Sequence, residues 1–268
     1  MAGGFAFLAF RSPRLRKLVR PPWTLSTGPS ASPAGIVAPD AHVEFVFQLG
    51  APFRLLRPDG TSETTPRAMI YAQRHGTLTM VPDGDSQVIA FRTTPVVASV
   101  ILGRPLADCW DRAVDLGEMI GAEADGLLAS LAGATARDQA AALESWLEAR
   151  LVGWEAEHER NLALQRRLLW RSGGGSLSAL PDELGITDRT LRRHFARHAG
   201  LSPKQLSMSG RILRACADLA DRPDSPIVEV ALRAGFGDQS AFTNAFRHYV
   251  GMTPARLRRQ PVVYCERP

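Results

Sequence analysis

Cysteine is scarce in this chain and poorly placed for cross-linking. The 268 residues include three, Cys109, Cys216 and Cys265. They are odd in number and widely separated, with no Cys-x-x-Cys pair and no histidine ligands beside them. That spacing argues against a disulfide framework or a zinc site, and a reducing cytoplasm is the expected compartment. Long apolar runs are missing as well. Phe5-Ala-Phe-Leu-Ala-Phe10 is too short to span a bilayer, so no membrane partner is expected. Its basic run follows it, the reverse of a secretory leader's order. Catalytic patterns are equally thin. His42, His75 and His158 are scattered, and Ser86 and Ser99 have no evident His and Asp partners. No Gly-rich phosphate loop follows a strand, and no metal-ligand cluster appears. The chain is therefore not expected to be an enzyme, nor to carry a cofactor or a metal.

What is present is the composition of a folded soluble protein, 45% hydrophobic and 22% charged, with room for two domains. The charge is uneven. Residues 1–174 hold 18 Lys and Arg against 18 Asp and Glu, and the remainder 14 against 9, so the net +5 sits in the C-terminal part. A basic surplus suits a polyphosphate partner, although by itself it fits a solvated surface equally well.

That basic part contains a tandem pattern. Leu191, Phe195, Gly200, Ser202, Pro203 and Leu206 recur at constant offset as Phe242, Phe246, Gly251, Thr253, Pro254 and Leu257. Upstream, Leu177, Leu180 and Gly185 match Ile227, Val230 and Gly235, with one residue added in the second turn. Each copy reads as helix, tight turn, helix. Thr187 caps the first recognition helix and Gly200 ends it in a left-handed residue. In the second copy Ser225 caps with Pro226 at the first helical position, and Asp238 caps the helix bearing Phe242 and Phe246. Between the copies, Ser202-Pro203 starts a helix through Ile212, Leu213, Cys216 and Leu219 that ends before Asp221 to Ser225. Cys216 lies on its packing side.

Ile227 to Ala231, the turn Gly235-Phe236-Gly-Asp-Gln-Ser-Ala-Phe242, Phe246-Arg247 and Gly251-Met-Thr-Pro-Ala-Arg-Leu-Arg258 resemble the AraC family of bacterial transcription regulators. The first copy matches independently. One departure is Pro181, where the family usually has a small residue. With Ser178 as the cap, Pro181 falls harmlessly in the first turn; with a start at Ser176 it bends the helix. The resemblance implies an α+β architecture: a β-rich N-terminal domain with trailing helices, then two helix-turn-helix units joined by a linker helix. The expected divisions are a partly looped lead-in (1–40), a β-rich sensing or oligomerising domain (41–171), a Gly/Ser junction (172–176), the double helix-turn-helix domain (177–260) and a tail (261–268).

Within the N-terminal part, Val43 to Leu49, Met69 to Tyr71, Thr77 to Val81, Val88 to Phe91 and Val96 to Leu102 read as short strands of a small antiparallel sheet or barrel. Ser26 to Pro39 reads as loop. Asp108 to Ile120, Ala122 to Leu131 and Arg137 to Trp154 read as helices, with Arg160 to Trp170 continuing helical. Leu143, Trp146, Leu147, Leu151 and Trp154 form a stripe that either packs on the sheet or makes a dimer seam. The basic run Arg11, Arg14, Arg16, Lys17 and Arg20 is either a solvated lead-in or a nucleic-acid arm.

A recognition helix offers its polar face to the major groove. In the first unit that face carries Arg189, Thr190, Arg192 and Arg193, and arginine's planar fork fits guanine O6 and N7. In the second it carries Gln239, Ser240, Thr243, Asn244 and Arg247. Gln239 and Asn244 suit adenine, and Arg247 suits a phosphate. His194, His198 and His248 read as structural or phosphate-contacting. The implied partners are double-stranded DNA, a small-molecule effector held by the N-terminal domain, RNA polymerase and a second copy in a homodimer. A pocket for the effector would be lined by Phe45, Phe47 and Phe91. The rival is a first domain that only oligomerises.

Overall fold

The computed structural model describes residues 4–28, 36–37, 42–57, 59–72, 75–154, 156–170, 181, 185–259 and 262–264. Its N-terminal region is built from β1 (Gly4–Phe7), α1 (Leu15–Leu18), β2 (Trp23–Thr27), β3 (Ile36–Val37), β4 (Val43–Gln48), β5 (Phe53–Leu56), β6 (Ser62–Thr64), β7 (Ala68–Ala72), β8 (Leu78–Pro82), β9 (Ser86–Thr93), α2 (Pro95–Leu102) and β10 (Ala113–Asp115). One sheet has the order β1-β2-β9-β4-β7-β10 and is antiparallel throughout. The second joins β3, β8, β5 and β6, and β11 (Val262–Tyr264) adds to β3 in parallel.

The first sheet is a middle layer, buried on both faces. Strand alternation sends Phe45, Phe47, Ile70, Ile89 and Phe91 towards the helices, while Val46, Met69, Val88 and Ala90 face Trp23 and Phe53 on the other side. β4 consequently reads as a near-continuous apolar run. Residues 4–28, within the expected lead-in, supply β1, α1 and β2 to this layer, and Ser26 and Thr27 are strand where loop was expected. β5 and β6 were not anticipated.

Two further sequence expectations fail here. Val96 to Leu102, expected as a strand, is helix α2, entered through Thr94 and Pro95 at the first position and closed by Gly103 at φ 67°. Almost every side chain in it is buried, and a short run buried all round has no periodicity to distinguish strand from helix. Asp108 to Ile120, expected as one helix, is a 3₁₀ turn (Ala107–Cys109), strand β10 and helix α3 (Leu116–Ile120). Asp115 ends the strand and starts the helix by accepting the N–H of Gly117. Beyond it, α4 (Glu123–Leu131), α5 (Ala136–Arg150) and α6 (Ala156–Trp170) follow as expected within their ends. Leu143, Trp146, Leu147 and Leu151 are buried in the core against the sheet, which answers the choice offered for that stripe.

The C-terminal region is helical: α7 (Asp188–His198), α8 (Pro203–Asp221), α9 (Ile227–Arg233), α10 (Gln239–Val250) and α11 (Pro254–Leu257). Pro226, expected as the first helical residue of α9, is its cap. The 172–176 junction, Cys265 and the helix expected over Leu177 and Leu180 lie outside the described residues. Pro181 is helical and buried, and its carbonyl accepts the Ile186 N–H at 3.0 Å.

Candidate nucleic-acid interface

The first unit is set by caps and by two apolar anchors. Thr187 Oγ1 accepts the Thr190 N–H at 3.1 Å, starting α7, while Leu191 and Phe195 are buried. The helix therefore turns Arg189, Arg192, Arg193 and Arg197 to solvent. Thr190 is half-buried, its hydroxyl 2.9 Å from that of Thr187. Arg192 Nε lies 2.8 Å from Asp188 Oδ2, with the side chains 73% and 58% exposed. Such a pair is worth little in water and yields readily to another anion. After Gly200 (φ 63°), Ser202 and Gln205 close a reciprocal capping box on α8.

The second unit repeats the plan. Asp238 accepts the Ala241 N–H at 2.7 Å, Phe242, Phe246 and Val250 are buried, and Gln239, Ser240, Asn244 and Arg247 are exposed. Thr243 is half-buried.

Its orientation depends on residues that the sequence reading passed over. From α8, Arg211 donates through Nε to the Ala234 carbonyl at 3.2 Å and through Nη2 to Gly235. Its guanidinium lies 4.0 Å over the Phe236 ring. Partial burial holds its pKa below the usual arginine range. Two turns further along the helix, Asp218 reaches Arg222 at 2.5 Å and Arg233 at 2.7 Å. Hydrogen bonding to Asp218, above all, raises the Arg233 pKa. The linker helix thus grips the C-terminal end of α9. A polar residue beside an apolar stripe was the only sequence signal.

Both units also touch the β-rich region. Leu191, Phe195, Ala199, Leu201 and Leu206 belong to the same buried core as the first sheet. Trp110 Nε1 donates to the Ala199 carbonyl at 3.0 Å. A Cβ at Gly200 would stand 2.7 Å from the Ala107 Cα, so the α7–α8 corner lies flush on that backbone. At the second unit, Gly76 N–H donates to the Tyr249 carbonyl at 2.7 Å, and the His75 ring packs on those of His248 and Tyr249. His75 in turn meets Asp111, Nδ1 to Oδ2 at 3.1 Å and backbone N to Oδ1 at 2.7 Å. Asp111 holds φ 61°, a left-handed backbone that asparagine and aspartate tolerate best among non-glycine residues. The segment 106–111 therefore reaches the first unit through Trp110 and the second through His75.

The expected aromatic pocket is filled instead. Phe45 and Phe91 stack at 4.6 Å and both pack on Trp146, and with Phe47 they are fully buried. Cys109 is a buried free thiol whose pKa burial pushes up, and Cys216 is buried in the packing side of α8. Among the described residues no cluster of His, Cys, Asp and Glu forms a metal site, and no helix is long and apolar enough to cross a membrane.

Residues 180–260 match a family model described as a helix-turn-helix domain. Among curated relatives, the chain is similar to the HTH-type transcriptional activator RhaS of Salmonella schwarzengrund, 27% identical over 110 residues, covering 41% of this chain and 35% of that protein. The RhaS of Salmonella arizonae is 31% identical over 81 residues, covering 30% and 29%. The chain thus spans about a third of the length of the curated relatives it matches. Among solved structures, the C-terminal domain of AraT, a response regulator from Geobacillus stearothermophilus, is 25% identical with TM-score 0.33, covering 37% of this chain and 79% of that one. ToxT from Vibrio cholerae is 10% identical with TM-score 0.43, covering 96% of each.

Proposed function

We propose, from the premise that residues 180–260 are an AraC-type helix-turn-helix domain, that this chain is a sequence-specific regulator of transcription. In this reading α7 and α10 enter two successive major-groove segments, ~34 Å apart along one face of the duplex. The observation that carries it is the repetition of one device. Each helix is capped at its start, anchored by two or three buried apolar residues, and presents a polar face rich in groups that suit base edges. Arg189, Arg192 and Arg193 would read guanines, with Thr190 beside them. Gln239 and Asn244 would read adenines, and Ser240, Thr243 and Arg247 would hold the backbone. Residues 177–260 are then the DNA-binding unit, 41–171 the domain that modulates it, and RNA polymerase and a second copy further partners.

A modulating first domain is favoured over one that only oligomerises by a specific arrangement. The segment 106–111 meets one unit at Ala199 and reaches the other through His75 at Tyr249. A shift in the β-rich layer therefore has a material route to both recognition helices.

Selection of bound fragments from sheared genomic DNA by the purified chain tests the central reading. Two sequence blocks centred about ten base pairs apart are expected. Uniform binding with no recovered motif would sink it.

A further inference from the structure

The two helical units are held to the β-rich region in different ways. In the first, Leu191, Phe195, Ala199, Leu201 and Leu206 share the apolar core of the first sheet. The second has a core of its own: among the described residues, the cluster around Ile212, Cys216, Val230, Phe242, Phe246 and Leu257 takes no side chain from either sheet. It meets the sheets at one corner. β11, five residues beyond Leu257, runs parallel to β3 as the end strand of the second sheet, with Val262 opposite Ile36 and Tyr264 opposite Val37. β3 in turn pairs with Leu78 and Thr79 of β8. Gly76, two residues before that strand, donates its N–H to the Tyr249 carbonyl of α10 at 2.7 Å. Both attachments therefore meet at the same end of β8. Pairing so short, at the edge of a sheet, belongs to the easily opened part of a fold.

The helix joining the units has a weak point where the two cores meet. Leu206 belongs to the first core and Ile212 to the second. Between them lie Ser209 and Gly210, both buried. Ser209 Oγ donates to the Gln205 carbonyl at 3.1 Å, a bond back along the helix that favours bending. Glycine is the weakest helix former after proline, and Gly/Ser pairs recur where helices kink.

We propose that β11 is a latch that sets which spacing of DNA blocks this chain accepts. Paired with β3, it holds α10 at a fixed angle to α7. Unpaired, it frees the second unit to turn about Ser209 and Gly210, while the first stays in the core of the sheet. A shift of one base pair turns a block by about 35° around the duplex axis, so latched helices discriminate against it and unlatched helices follow it. The spacing role rests on the two-segment reading above; the latch itself does not.

Two variants test the latch. One ends the chain after Arg259; the other is the full-length double substitution Val262→Pro, Val263→Pro, which removes strand donors and keeps the charges of the tail. In both, hydrogen exchange should quicken at β3, at Leu78 and Thr79 and at Gly76, with α7 and α9 unchanged. On a selected operator, moving one block by one base pair should weaken binding of the full chain at least about tenfold, and of either variant about threefold or less. In the shortened chain Gly210→Ala, or Ser209→Ala where the added methyl does not fit, should restore part of that preference by stiffening α8. Unchanged exchange at β3 and Gly76 overturns the latch. Faster exchange with an undiminished spacing preference overturns its role in spacing, and failure of both α8 variants to restore the preference overturns the hinge. If no operator is recovered at all, the two-segment reading fails, and the exchange measurement alone decides the latch.

Discussion

Arg192 shows how a single residue's surroundings bear on its proposed task. Its pairing with Asp188 is exposed and cheap to break, so it costs the folded state little to release the guanidinium. Arg192→Ala is expected to lower affinity for a selected operator by roughly 1–3 kcal/mol if it reads a base. The same change should move unfolding stability by less than about 0.5 kcal/mol. Equal losses on selected and random DNA, in parallel gel-shift titrations, would reassign it to a phosphate. Gly200 is the opposite case, a residue whose chemistry is all backbone. Its φ of 63° and the nearness of Ala107 leave no room for a side chain. Gly200→Ala should cost more than about 2 kcal/mol by chemical denaturation, from left-handed strain and overpacking together. The left-handed turn was legible from the helix-end pattern, but the apposition to Ala107 was not, because it joins residues far apart in the chain.

At the scale of elements, amphipathic helices announced themselves and buried ones did not. α7 and α10 have one apolar and one polar face, and their caps at Thr187 and Asp238 fall where the sequence puts them. α2 has no polar face to contrast, so its valines read as strand until Pro95 and Gly103 are given their weight as punctuation. Residues 108–111 were taken into a helix, yet the value of the 106–111 segment lies in being irregular. A turn there frees the Trp110 indole to reach Ala199 and sets Asp111 under His75. Trp110→Phe keeps most of the ring's packing but leaves the Ala199 carbonyl unpaired, at a cost of about 1–3 kcal/mol. Hydrogen exchange should then quicken at the C-terminal turn of α7, and unaltered protection there would show that the contact does not hold the two regions together.

For the whole molecule, charge and contact divide the labour. The net +5 lies in the C-terminal part, while the β-rich part is balanced. Under the proposed reading, affinity of the full chain should fall linearly with the logarithm of salt concentration. Replacing Arg247 by Ala should lower the magnitude of that slope by about 1 and weaken all sequences alike. A slope that does not change would remove Arg247 from the phosphate contacts. The α5 stripe, open between sheet packing and a dimer seam from sequence, is spent on the intramolecular core. A homodimer would therefore need another surface.

The sequence by itself determined α7 and α10, their caps at Thr187 and Asp238, their apolar anchors and the polar faces they present, because helical periodicity and turn chemistry act within a few residues of one another. It also located most of the central strands. Tertiary structure alone decided that the first sheet is buried on both faces, that Phe45, Phe47 and Phe91 fill a core instead of lining a pocket, and that Arg211 and Asp218 grip α9 from the linker helix. It also decided that one irregular segment reaches both helical units. These features depend on which surfaces meet when the chain closes on itself, and local propensity carries no information about partners a hundred residues away.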